Sequence, residues 1–87
     1  MNFERVVKRS LENNDYEAAA KYVGYIIAEC PASVKHYSLK CEYLLRAHNL
    51  SEAQSFSNDM IKNSLVKRNP KIIGWRGKIL IYSGNES

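Results

Sequence analysis

The sequence predicts an all-α fold: five helices joined by short turns, arranged as about two and a half helical hairpins. Three observations lead there. Apolar residues recur at helical spacing in one segment after another. Proline occurs only at Pro31 and Pro70, each where such a segment stops or starts. A short motif also returns at an offset of 34 residues, as Asp15-Tyr16-Glu17-Ala18-Ala19 and Asn49-Leu50-Ser51-Glu52-Ala53.

Taken in order, Phe3, Val6, Val7 and Leu11 form a first stripe, interrupted by Asn13-Asn14-Asp15. Asp15 is placed to cap a second helix, whose inward side carries Ala19, Tyr22, Val23, Ile26 and Ile27 and which Pro31 stops. Val34 to Arg46 makes a third, with Tyr37, Cys41, Leu44 and Leu45 inward. After His48-Asn49-Leu50, Ser51 is the expected cap of the fourth helix, with Gln54 three residues on; Ala53, Phe56, Met60 and Ile61 form its apolar face. A polar stretch at Lys67-Arg68-Asn69 leads to Pro70, which suits the first turn of a fifth helix ending near Ser83-Gly84. Read alone, Lys78 to Tyr82 resembles a short strand, rich in β-branched and aromatic residues; its helical neighbours favour a packed helix.

Composition excludes several classes. At 45% hydrophobic and 25% charged residues, the chain is that of a folded domain rather than a disordered one. With 87 residues it buries only about 60–65% of its unfolded surface, so a modest core has to suffice. No apolar run reaches the ~18–20 residues that span a bilayer. The N-terminus carries no secretory pattern, so the triplets Asn49-Leu50-Ser51 and Asn85-Glu86-Ser87 are read as coincidental rather than glycosylated. Cys30 and Cys41 are too few for a disulfide framework, and with only His36 and His48 they make no recognisable metal set. A reducing, cytoplasmic setting with free thiols is the expectation, with no cofactor and no metal.

The repeat has a physical basis: a small residue at Ala19 and at Ala53 lets two helices approach closely. Its length, its small residue and its terminal proline make the chain resemble the tetratricopeptide (TPR) family. On that resemblance residues 1–33 are a first unit, 34–69 a second, and 70–87 the first helix of a third. Gly77 then falls at the family's tight contact, where the earlier units have Val7 and Cys41, and Gly84 in its turn. Ser57 replaces the family's usual aromatic. Leu39-Lys40-Cys41-Glu42, Ser51-Glu52-Ala53-Gln54-Ser55 and Asp59-Met60-Ile61 are similar to the middle TPR region of the DnaJ-containing TPR co-chaperones, although no His-Pro pair exists here. This resemblance implies a segment of a longer co-chaperone.

TPR hairpins bind peptides in a concave groove lined by the first helix of each unit. The groove-facing positions are Glu4, Arg5 and Lys8, then Lys35, Leu39, Glu42 and Arg46, then Lys71, Trp75 and Lys78. Basic residues predominate, which favours an acidic segment as ligand, although the same residues also fit ordinary solvated helix faces. The family's carboxylate clamp for heat-shock chaperone tails transfers to Glu4, Lys8, Leu39, Lys71 and Trp75, of which only Lys71 matches. Trp75 fits either the core or an aromatic anchor in the groove. The six tyrosines recur at spacings that suit packing between helices.

No catalytic motif is present, and Cys41 lies on a packed helix face, so the expectation is a binding protein and not an enzyme. The rival from another class is a small basic nucleic-acid-binding domain, weakly supported by a net charge of +4 because the positive residues themselves are spread over several helices. Ile73, Leu80 and Ile81 have no following helix to cover them, so association through the last helix, with another copy or another segment, is expected.

Overall fold

A computed structural model of the protein describes residues 2–84. It has α1 (Phe3–Glu12), α2 (Tyr16–Glu29), α3 (Val34–Arg46), α4 (Leu50–Lys62) and α5 (Pro70–Gly84), with no strand among the described residues. Lys78 to Tyr82 is therefore helical. The triplet Asn85-Glu86-Ser87 and the end of the third unit lie outside the described residues.

The two three-residue turns, α1 to α2 and α3 to α4, match bond for bond at an offset of 34. Asn14 and His48 both adopt left-handed backbone, with φ of 56° and 58°. Asp15 N–H then donates to Ser10 C=O (2.8 Å), and Asn49 N–H to Leu44 C=O (3.0 Å), so a carbonyl in the last turn of each ending helix finds its partner beyond the helix. The following residue caps the next helix: Asp15 Oδ1 accepts from Ala18 N–H at 3.1 Å, and Asn49 Oδ1 from Glu52 N–H at 3.3 Å. Glu52 Oε2 accepts in return from Asn49 Nδ2 at 2.8 Å.

This corrects the expected cap at Ser51. The left-handed residue at His48 completes the reversal at once, so α4 starts at Leu50 and Ser51 already lies inside it. Turns this short make α1 antiparallel to α2, and α3 to α4.

Consecutive helices pack on one another, and α3 also packs on α5. The shortest extent, 16 Å, accommodates two helix layers at the usual spacing of about 8–10 Å. The core runs through all five helices: Val7, Val23, Ile26, Leu44, Met60, Ile72 and Ile79 are buried, together with Tyr37 and Tyr43. Ala19 and Ala53 are both 0% exposed, as expected where helices approach closely. Ser57 is buried too; its hydroxyl donates to Gln54 C=O at 2.9 Å, which satisfies it without an aromatic's bulk. Rings pair within each hairpin, with the centroids of Phe3 and Tyr25 5.3 Å apart and Tyr37 stacked on Phe56 at 5.8 Å, and Tyr16 and Tyr43 meet between the hairpins at 6.3 Å.

The connection from α4 to α5 is longer than the other turns. Residues 63–69 insert Val66 into the core, 1% exposed. Asn63 Nδ2 donates to the Tyr37 hydroxyl (2.7 Å) and to Pro31 C=O (3.2 Å), while that hydroxyl donates to Pro31 C=O (2.9 Å). The end of α4 is thereby tied to the turn between α2 and α3.

Gly77 departs from its expected role. A Cβ built there, or at Gly74, has nothing within 4 Å, because both glycines lie on the side of α5 turned away from the core. The close approach occurs at Gly24, where Lys40 Nζ lies 2.9 Å from such a Cβ. Lys40 crosses α2 there and ends 4.5 Å from the Phe56 ring centroid.

Candidate functional site

Two cavities flank α3. The first, about 240 Å³, opens between α1 and α3, with α2 supplying Val23 and Ile26. Val7, Leu11 and Leu39 complete its apolar lining; Glu4, Lys8, Lys35 and His36 are its polar residues. The spacing explains the set: Glu4, Val7, Lys8 and Leu11 recur at i, i+3, i+4 and i+7 on one face of α1, and Lys35, His36 and Leu39 share a face of α3.

His36 spans this cavity's edge. Its Nδ1 is hydrogen-bonded to the Ser33 hydroxyl at 2.6 Å, and its Nε2 lies 3.6 Å from Glu4 Oε1. Ser33, the residue preceding α3, makes no side-chain cap hydrogen bond because its hydroxyl serves the imidazole instead. Lys8 and Lys35 make no ion pair among the described residues, so the cavity carries two ammonium groups against the one carboxylate of Glu4, beside an apolar floor.

The second cavity, about 490 Å³, lies where the C-terminal half of α3 meets α5. Leu45, Leu50, Trp75 and Tyr82 line it with Glu42, Arg46, His48 and Lys78. Arg46 is committed to Glu42 (3.5 Å) and lies over the Tyr16 ring (5.6 Å). Lys78 Nζ sits 4.9 Å from the Trp75 centroid and makes no ion pair among the described residues. Trp75 packs against the core and also lines this cavity.

Of the ten residues singled out from the sequence, Glu4, Lys8, Lys35 and Leu39 line the first cavity, and Glu42, Arg46, Trp75 and Lys78 the second. Arg5 and Lys71 are exposed and line neither, so the one matching clamp position stands apart from both cavities. Sequence reasoning missed His36, although its place one helical turn before Lys40 and beside Lys35 was a usable signal. It also missed Tyr82, which falls one turn after Lys78.

A larger hollow, about 750 Å³, lies against the other side of α2. Its charged residues alternate in sign, with Asp15, Glu17 and Glu52 facing Lys21 and Lys40, and its apolar contribution is mostly Ala18, Ala20 and Tyr25. Its three carboxylates outnumber its two ammonium groups, whereas cations predominate at the two cavities on α3, where most of the residues expected from the sequence also lie.

Both cysteines are free; Cys30 is exposed and Cys41 buried. Cys41 Sγ lies 3.7 Å from Met60 Sδ, and burial pushes its thiol from an ordinary 9.0 up to about 12, with Lys40 opposing the shift weakly. A thiol in this state is structural and unreactive. Alkylation of the folded protein is expected to modify Cys30 and spare Cys41 until denaturant is added. Because the folded state holds the Cys41 proton more tightly, its contribution to stability is intact below pH 9 and lost between pH 9 and 12. The melting temperature should fall over that window, and less steeply in Cys41→Ala.

Among the described residues no three His, Cys, Asp or Glu side chains gather as a metal site, and no helix is long and apolar enough to cross a membrane. A scan against protein-family models finds no match, and no curated protein or solved structure matches the chain.

Proposed function

We propose that the protein is a TPR-type interaction module that holds an acidic, partly apolar segment of a partner along α3, as a scaffold or co-chaperone component in the cytosol. The observation that carries this reading is the pair of partly apolar cavities on either flank of α3, where Lys8, Lys35 and Lys78, without ion-pair partners among the described residues, outnumber the carboxylates Glu4 and Glu42. An apolar floor rewards a buried side chain, and unpaired ammonium groups reward a neighbouring carboxylate. The two matching turns at a 34-residue offset and the two fully buried alanines support the repeat reading.

Heat-shock chaperone tails fit as acidic ligands in general chemistry. Glu4, Leu39 and Trp75 stand at clamp positions where the TPR family uses polar or basic residues, so recognition here rests on apolar anchoring plus Lys8 and Lys35 rather than on a gripped terminal carboxylate.

The test is fluorescence anisotropy with a labelled peptide carrying two leucines among aspartates, against a version with lysines in place of the aspartates. The acidic peptide is expected to bind, and Lys8→Glu with Lys35→Glu together to weaken it at least about tenfold by turning attraction into repulsion. Equal binding of both peptides, or tight binding of duplex DNA that collapses between 50 and 200 mM salt, contradicts the proposal.

A further inference from the structure

Charge is unevenly distributed along the chain. Lys62, Lys67, Arg68, Lys71, Arg76 and Lys78 follow one another without an Asp or Glu between residues 60 and 85, so the protein's whole positive excess arises in its last third. The same third exposes apolar surface. Helix α5 buries Ile72 and Ile79 completely, yet on its opposite side Ile73 is 57%, Leu80 48% and Ile81 67% exposed. Ile73, Gly77, Leu80 and Ile81 stand at i, i+4, i+7 and i+8, one continuous stripe with open space above Gly77 and Gly74. An apolar face opposite the one that packs on the core is normally covered as well.

We propose that this outer stripe of α5 docks an amphipathic helix of a partner protein whose apolar face is flanked by carboxylates. The stripe is separate from the cavities on α3, which α5 meets through Trp75, Lys78 and Tyr82. The charge selects the partner. Lys71 lies to one side of the stripe and the half-buried Arg76 to the other, while Lys78 is drawn towards Trp75; neither Lys71 nor Arg76 makes an ion pair among the described residues. Carboxylates flanking an incoming apolar face would meet cations on both sides.

A second copy is disfavoured by the same reasoning, since its α5 would bring the same three cations and no carboxylate among the described residues. The glycines select a helix over a lipid surface. They add little apolar area for acyl chains, but they leave a notch between Ile73 and Ile81 where a facing helix approaches closely.

The experiment titrates the isotope-labelled protein with two synthetic helices that share a leucine–alanine face, one flanked by glutamates and one by lysines. The glutamate helix is expected to bind at least tenfold more tightly, and to shift the methyl signals of Ile73, Leu80 and Ile81 while leaving that of Leu39 in place. Ile81→Ser should weaken binding about tenfold. Gly77→Leu, which enters open space and improves helix propensity, should also weaken it while leaving the fold intact or stabilised. No preference between the two helices overturns the proposal, as do shifts confined to Leu39. Concentration-dependent dimerisation abolished by Ile81→Ser would assign the stripe to a second copy. Ile81-dependent binding to phosphatidylserine vesicles, with neither helix binding, would assign it to a membrane.

Discussion

Replacing Leu44 by Ala is expected to destabilise the protein by about 3–4 kcal/mol, within the range measured for buried leucines. Leu44 is 1% exposed and sits in α3, the one helix in contact with α2, α4 and α5 together. Removing its branched end leaves a void where several helices converge, and no single neighbour moves inward without leaving another. A domain this small has total stability near the low end of about 5–15 kcal/mol, so the loss is a large fraction of it. Chemical denaturation should show the midpoint falling with little change in slope, and a thermal transition lower by roughly 12–30 °C. A cost below about 1 kcal/mol would mean that Leu44 is not at the junction.

The second large effect is a contrast between adjacent residues. Ile79→Ser is expected to cost about 3–5 kcal/mol, because it empties a fully buried site and leaves a hydroxyl there without an assured partner. Leu80→Ser, next in the chain and 48% exposed, should cost less than about 1 kcal/mol. The pair reads out which side of α5 faces the core. The reverse order of effects would rotate the helix and remove the stripe on which the docking proposal stands.

Much of the fold was legible because helical spacing and proline placement agree. Val34 and Arg46 are the ends of α3 as the spacing indicates, and Pro70 opens α5. The start of α4 was not placed correctly, since Ser51 is a good cap residue and competes on paper with Asn49. Left-handed backbone at His48 decides between them, and that is a property of the turn rather than of residue preference. The repeat held the missing hint, because Asn49 occupies the place of Asp15.

Gly77 misled for a related reason: glycine signals close approach without saying to what, and here no part of the described chain approaches it. Val66 and Ser57 escaped notice as core because one lies in a polar stretch and the other is polar itself. At the candidate site, the repeat register of the TPR resemblance singled out Lys8, Lys35, Leu39, Glu42, Arg46, Trp75 and Lys78, which line the two cavities. It could not separate them into two cavities, which depends on how α1 and α5 pack beside α3. The concentration of positive charge after Asp59 was countable from the sequence. It gains meaning only with the exposed side of α5 beside it.

The central claim is that one acidic segment occupies both cavities along α3. Two-dimensional NMR of the protein titrated with the leucine–aspartate peptide tests it directly, by following the Leu39 methyl groups for the first cavity and the Trp75 indole N–H for the second. The account predicts that both signals shift together with a single dissociation constant and that the Lys8→Glu, Lys35→Glu protein weakens both. Shifts at one cavity with none at the other, or no saturable shift at either, would contradict it.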